Sequence, residues 1–114
     1  MALIIKTNDP SGLLSAIKKA IDDKKIDTWS YNTNNLFSHV QQWEGKAWLK
    51  PKVVNGSLQF GIVGQINVDL TRYNYAVNHG RFSEMLISHF NNHFTEMIST
   101  SDPVEEIDIR LSLV

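Results

Sequence analysis

A two-residue turn signal near the middle of the chain limits the possible folds most. Asn55-Gly56 separates an extended segment, Ala47–Val54, from residues 58–62, where apolar residues occupy every second position. Asn-Gly readily adopts the positive φ angles of two-residue hairpin turns, and a period of two is typical of half-buried strands. The pattern therefore predicts an antiparallel hairpin, in which Pro51 indicates an edge position or a bulge.

Further strands are predicted on both sides of this hairpin. Four consecutive apolar residues, 2–5, followed by Lys6, predict a short strand over residues 2–6 that is buried on both faces. Residues 28–31 and 36–39 are separated by turn-forming asparagines and predict a second hairpin. Alternating apolar residues then predict two more strands, over residues 66–70 and 73–77.

Two helices are predicted. Asp9 can cap the free N–H groups of the first helix, and Pro10 fits its first turn, where a missing N–H costs nothing. Gly80 is predicted to end the run of strands, and a second helix is expected over residues 82–98. The apolar arc of this second helix consists of Phe82, Met85, Leu86, Phe90, Phe94 and Met97.

The order of these elements predicts an α+β fold. A largely antiparallel sheet with two helices packed against it fits a strand, a helix, several strands, a helix and a final strand. A chain of 114 residues suits one domain, expected over residues 1–114. The chain has no cysteine, which excludes disulfides, thiolate metal sites and a cysteine nucleophile.

The charge balance and hydropathy bear on partners and location. Eleven lysines and arginines face twelve acidic residues, a net charge of −1, whereas nucleic-acid-binding domains usually carry a basic excess. The apolar stretch at the start of the chain is too short for a secretory signal. The uncharged run over residues 53–68 contains too many polar residues for a membrane span. We therefore expect a cytoplasmic protein without a membrane partner, and we do not expect nucleic acid as a ligand.

Three segments carry a resemblance to known proteins. They are residues 2–10 followed by Gly12-Leu13-Leu14, residues 42–51, and His79-Gly80-Arg81-Phe82 followed by Glu84-Met85-Leu86. These segments resemble a family of small uncharacterised bacterial proteins, and the likeness spans most of the chain. The resemblance implies a compact α+β domain in a bacterial cytoplasm. It implies no catalytic residues, because the family has no assigned activity.

A histidine pair raises the question of a metal site. On a continuous helix, His89, His93 and Glu96 would lie on one side, at a spacing that can share a zinc ion. However, Phe90 stands where zinc proteases carry a glutamate, and the three residues border the apolar arc. We expect two histidines at the rim of the helix–sheet interface, no metal and no cofactor.

A second candidate site is His79-Gly80-Arg81, at the expected junction of a strand and a helix. Backbone N–H groups at a helix start attract anions, and Arg81 adds a bidentate donor. A phosphate or carboxylate could bind there, although no glycine-rich phosphate loop accompanies the motif. The favoured interpretation is that Arg81 is a surface or ion-pair residue.

Aromatic residues and lysines alternate in the first half of the chain. Core packing with lysines extending from an edge strand is the favoured interpretation. A small-molecule pocket, a protein interface and the stacking of single-stranded bases remain alternatives. The residues concerned are Trp29, Tyr31, Trp43 and Trp48 with Lys46, Lys50 and Lys52.

The closing segment predicts self-association. Residues 107–113 alternate strictly and predict a half-buried strand. Little follows this strand to cover its edge, and unpaired edges invite pairing with another chain. A symmetric homodimer is therefore expected, with pairing of this strand inside its own sheet as the alternative.

Two classes of function remain open. The favoured class is a non-catalytic interaction or regulatory module that self-associates. The alternative is a small-molecule-binding protein or a small enzyme that uses His79 and Arg81 near aromatic residues of the sheet. No catalytic residue is assigned, and whether the protein is an enzyme stays open. The candidate ligand-binding residues are His79, Arg81, Tyr75, His39, Trp43 and Trp48.

Overall fold

The structure, a computed structural model, describes residues 2–39, 47–64 and 72–101. Eight elements occur in these ranges. They are β1 (Leu3–Lys6), α1 (Pro10–Asp22), β2 (Trp29–Tyr31), β3 (Phe37–His39), β4 (Ala47–Val54), β5 (Ser57–Gly64), α2 (Arg72–Phe90) and β6 (Glu96–Ser99). The expected loop over residues 40–45 and the expected strands over residues 66–70 and 107–113 lie outside the described residues.

All six strands of the described part form one antiparallel sheet in the order β2-β3-β4-β5-β1-β6. This arrangement confirms the predicted α+β class with two helices. The β4–β5 hairpin turns through Asn55-Gly56, where Gly56 has a φ angle of +83°. A φ angle of this value favours glycine, because glycine has no Cβ atom to clash with the backbone.

Pro51 lies inside β4, which has a neighbouring strand on each side. It pairs with Phe60 of β5, whereas β3 pairs with β4 at Leu49, two residues earlier. The proline therefore lies beyond the short β3 ladder, at a point where its missing N–H removes no bond to that strand. The ladder with β5 runs in constant register past Pro51, so no bulge occurs there. The expected edge position is also wrong for the strand as a whole, because β4 lies between β3 and β5.

The hydrophobic core lies between one face of the sheet and the two helices. Alternate residues of the strands point into this layer, and Ile4, Lys50 and Gln59 stand on the opposite face. Phe82 of α2 is at the centre of the aromatic contacts in the core. The sheet supplies Leu3, Ile5, Trp29, Phe37, Leu49, Leu58, Phe60 and Ile62, and the helices supply Leu13, Ile17, Tyr75, Phe82, Met85, Leu86 and Phe90.

Helix α1 begins as the sequence predicts. The Asp9 carboxylate accepts a hydrogen bond from the Gly12 backbone N–H at 3.0 Å, and Pro10 occupies the first turn. The cap satisfies a donor that the helix itself leaves free. Leu13 and Ile17 then lie one turn apart and face the core.

Helix α2 differs from the prediction at both ends. Residues 73–77 are helical rather than extended, and Gly80 lies inside the helix. The helix ends at Phe90, and the segment expected to continue it forms β6, which pairs with β1. Phe94 and Met97 still pack against the core, but from the segment after the helix. In the described ranges, neither helix is long and apolar enough to cross a membrane.

Candidate functional site

A cavity of about 310 Å³ lies between the β2–β3 hairpin and α2. Its volume is at the low end of the range for small-molecule pockets. The wall combines a cation, a carboxylate, two imidazoles and two hydroxyls with an aromatic and a thioether side chain. The lining residues are Thr28, Trp29, His39, Arg81, Glu84, Met85, Ser88 and His89.

Strand register and helix periodicity bring these residues together. Trp29 and His39 are direct partners in the β2–β3 ladder, so both side chains project from the same face of the sheet, toward the helices. On α2, Arg81, Glu84 and Ser88 are three and four residues apart and share one side of the helix. The hairpin therefore forms the floor of the cavity, and α2 forms one wall.

His39 is the most constrained polar group of this cavity. It is 7% exposed, and the Trp29 ring meets it edge to face at 5.4 Å between ring centroids. Among the described residues, its buried Nδ1 atom has no hydrogen-bond partner. Burial lowers the pKa of His39 below 6.5; the charge of Arg81 lowers it further, and Glu84 opposes the shift. His39 is therefore neutral at pH 7 and offers one donor and one acceptor.

Arg81 and Glu84 form an ion pair at the mouth of the cavity. Arg81 Nη1 lies 3.3 Å from Glu84 Oε2, and the two side chains are 48% and 68% exposed. Exposed pairs of this kind contribute about 0–1 kcal/mol to stability. A ligand could therefore separate the two side chains at little cost.

His79 and Tyr75 lie away from this cavity. Both are buried in α2, where the His79 Nδ1–H donates to the Tyr75 carbonyl at 2.7 Å. The carbonyl can only accept, so the proton is on Nδ1. The expected helix start at His79-Gly80-Arg81 is wrong, because these residues lie well inside α2 and their backbone N–H groups belong to the helix. The structure brings Arg81 together with His39 rather than with His79.

Of the two tryptophan candidates, the structure describes Trp48, which does not line this cavity. Trp48 is half-buried on the sheet face opposite the helices, the face that also carries Lys50 and Lys52. Trp43 lies outside the described residues. Core packing is the observed role of Trp29, and Tyr31 packs partly against the same core.

The histidine pair considered for a metal is divided among different elements. His89 is in the last turn of α2, His93 follows the helix, and Glu96 begins β6. The helical spacing that would have aligned the three residues is therefore absent. In the part of the chain that the structure describes, no group of three histidine or acidic side chains is arranged to hold a metal ion.

A second cavity, of about 390 Å³, adjoins the start of α1 and the segment after α2. Two of the polar side chains that line it already have hydrogen-bond partners. Thr7 Oγ1 donates to the His93 carbonyl at 2.7 Å, and the Asp9 carboxylate caps α1. The first cavity, which lies beneath α2, is the better candidate, because the buried Nδ1 atom of His39 there lacks a partner among the residues that the structure describes.

Four lining residues were not among the sequence candidates: Thr28, Glu84, Met85 and Ser88. The spacing of Glu84, Met85 and Ser88 from Arg81 would have indicated a shared helix face. The position of the hairpin beneath that face depends on strand pairing distant in sequence, which no local pattern reveals.

No protein-family model, curated protein or solved structure matches the chain. The resemblance to small bacterial proteins gains no support from these comparisons. Function must therefore be argued from the geometry of the site.

Proposed function

We propose that this protein is a small-molecule-binding module and that its ligand occupies the cavity between the β2–β3 hairpin and α2. The buried Nδ1 atom of His39, which lacks a hydrogen-bond partner among the described residues, carries the proposal. A buried polar atom without a partner costs about 1–3 kcal/mol. A ligand that bonds to this nitrogen would recover that cost.

The surroundings of His39 also suit a ligand. The cavity combines one aromatic and one thioether side chain with six polar or charged residues, so it is more polar than most small-molecule sites and suits a polar ligand. Trp29 is buried on the sheet, with its ring centroid 4.9 Å from that of Phe82, and its ring packs edge to face against His39 on one side. The site is therefore built on packed elements rather than on mobile loops.

The proposal can be tested by NMR with a panel of small polar fragments that includes amides, hydroxy acids, amino acids and nucleobases. We expect at least one class to shift the indole N–H of Trp29 and the backbone amides of Thr28 and Ser88. The His39→Phe variant keeps a ring against Trp29 but removes the nitrogen, and should weaken binding at least tenfold.

The matched control is His93→Phe, which alters an exposed histidine that does not line this cavity. It should leave binding unchanged. Fragments that fail to shift any cavity signal at millimolar concentration would refute the proposal. So would shifts that persist unchanged in His39→Phe.

Self-association is a second candidate function, favoured by the outer face of α2. Tyr73 is 71% exposed and Ile87 is 58% exposed, and each lies seven residues from Gly80. Apart from the glycine, its chain neighbours and the backbone of its own helix, no described atom lies within 4 Å of a Cβ placed on Gly80. Two copies related by a two-fold axis near Gly80 would place Tyr73 of one copy against Ile87 of the other.

Sedimentation at increasing concentration tests this candidate. We expect a mass above 13.0 kDa at high concentration, and Ile87→Glu should restore the monomer. Val53→Glu changes another exposed apolar residue, on β4, and should have no effect. A monomer at every concentration would reject self-association. A dimer that survives Ile87→Glu would favour the closing segment, residues 107–113, as the interface.

We also propose a bacterial cytoplasmic setting. It is supported by the short apolar start and the polar run over residues 53–68, which predict neither a secretory signal nor a membrane span, and by the resemblance to small bacterial proteins. Localisation of a tagged full-length chain in bacterial cells would test it, and recovery in the membrane fraction would contradict it.

A further inference from the structure

We infer that the ligand of the cavity beneath α2 is an amino-carboxylate zwitterion, of the size of one amino acid with a short apolar side chain. This inference rests on the proposed function and names its ligand class. It is carried by the pairing of opposite charges at the mouth of the cavity, by the uncharged interior and by the volume.

The mouth carries one positive and one negative group, 3.3 Å apart on neighbouring turns of α2. A phosphate that approached Arg81 would meet the carboxylate of Glu84, and a polyamine that approached Glu84 would meet the guanidinium. A ligand with a carboxylate next to an ammonium group can satisfy both at once. The carboxylate would bind Arg81 through paired N–H donors, and the ammonium group would bind Glu84.

The interior of the cavity favours an uncharged ligand body. His39 is neutral at pH 7 because burial and the charge of Arg81 disfavour its protonated form. Trp29 and Met85 add apolar surface beside it. A short apolar side chain, or one with a single polar atom that reaches His39, fits these neighbours better than a second charge would.

The volume limits the ligand further. The cavity of about 310 Å³ corresponds to about ten water molecules, at about 30 Å³ each. That space suits a single amino acid and is small for a nucleotide or a peptide. The expected ligand therefore has one carboxylate, one amine and a side chain of a few heavy atoms.

Calorimetric and NMR titrations with four probes test the ligand class. The probes are L-leucine, N-acetyl-L-leucine, L-leucine amide and inorganic phosphate. The acetyl group removes the positive charge of leucine, and the amide removes its negative charge. We expect L-leucine to bind with shifts at Trp29 and Ser88, each blocked analogue to bind at least tenfold more weakly, and phosphate not to bind.

Charge-neutralising variants test the residues. Arg81→Gln should weaken the binding of L-leucine at least tenfold and should not strengthen the binding of N-acetyl-L-leucine. Glu84→Gln should weaken the binding of L-leucine to a similar degree. Lys6→Gln and Glu96→Gln are the matched controls, because Lys6 and Glu96 form a comparably exposed ion pair across β1 and β6. Both controls should bind L-leucine as the unaltered protein does.

The outcomes separate this inference from the proposed function. If phosphate, a blocked analogue or another fragment binds in the cavity and no standard amino acid does, the ligand class is wrong and the binding function stands. If no probe or fragment shifts the cavity signals, both proposals fall. Equal affinity for L-leucine and its two blocked analogues would also overturn the zwitterion inference.

Discussion

Replacing Phe82 with alanine is the sharpest test of how α2 packs on the sheet. The Phe82 side chain is fully buried. Its ring centroid lies 4.5 Å from that of Phe60, 4.9 Å from that of Trp29 and 6.2 Å from that of Phe37. One side chain therefore connects the second helix to three strands of the sheet.

The expected loss of stability follows from the space that the ring occupies. Removal of the ring leaves a cavity of up to roughly 100 Å³, which at about 24 cal/mol per Å³ costs about 2.4 kcal/mol. Lost burial of the apolar ring adds about 2 kcal/mol. We expect a total of about 4–5 kcal/mol, at the upper end for Phe→Ala because the aromatic contacts are also lost.

Urea unfolding monitored by circular dichroism measures this loss. Domains of this kind have a total stability of about 5–15 kcal/mol, so Phe82→Ala could unfold much of the protein. Phe82→Leu keeps most of the volume and should cost about 1.5 kcal/mol or less. Tyr73→Ala on the exposed side of the same helix should stay within about 0.5 kcal/mol. A cost below about 1.5 kcal/mol for Phe82→Ala, or an equal cost for Tyr73→Ala, would refute the packing of α2 described above.

Three further predictions concern local features. Gly56→Ala should destabilise the protein by about 1–2 kcal/mol in urea melts, because the turn requires a φ of +83° while the space around it is open; a neutral result would contradict the left-handed turn. Asp9→Ala should lower the free energy of unfolding by about 0.5–2 kcal/mol, since the Gly12 N–H loses its cap, and Asp9→Asn should retain most of it; equal losses would argue against capping. The folded pKa of His39 lies below its ordinary 6.5 through burial and the charge of Arg81, so the unfolded chain binds the proton more readily. Stability should therefore be full above about pH 6.5 and decline as the pH falls toward the folded pKa; urea midpoints should show this slope, and an identical slope in His39→Phe would exclude His39 as its source.

Local signals were sufficient for the described elements from β1 to β5. The capping pair Asp9-Pro10 and the turn Asn55-Gly56 each favour one backbone conformation for reasons confined to a few residues. The predicted elements around them therefore match α1 and the β4–β5 hairpin.

The second helix shows where such signals conflict. Tyr73, Tyr75 and Val77 alternate and have good strand propensity, yet the helix buries Tyr75 with Asn78 and His79, one turn further on. Each side chain donates to a carbonyl one turn earlier, Asn78 to Asn74 and His79 to Tyr75, which satisfies these donors. The buried Asn78 Oδ1 atom has no partner among the described residues. A pattern based on hydrophobic residues does not detect a helix face that buries polar side chains in this way.

The end of that helix was misplaced for a different reason. Gly80 costs a helix about 1 kcal/mol relative to alanine, an amount that the burial of Phe82 and Leu86 readily exceeds. Beyond Phe90, apolar residues continue at helical spacing, but Met97 contacts the core from a strand paired with β1. This segment is a strand because it pairs with β1, about ninety residues earlier in the chain. The local spacing of apolar residues does not reveal such a long-range pairing.

The position of β1 in the sheet has a consequence for how the chain reaches its native state. Ala2 and Thr100 are 98 residues apart and are joined by two hydrogen bonds, of 2.8 and 2.9 Å. During synthesis, β1 leaves the ribosome first and β6 long after it, whereas β4 and β5 can pair through their two-residue turn as soon as both emerge. Until β6 arrives, one side of an apolar strand stays open, and open strand edges are sites of intermolecular pairing. We therefore expect the β1–β6 ladder to close late in folding, so that nascent chains released before residue 96 aggregate while full-length chains remain dispersed.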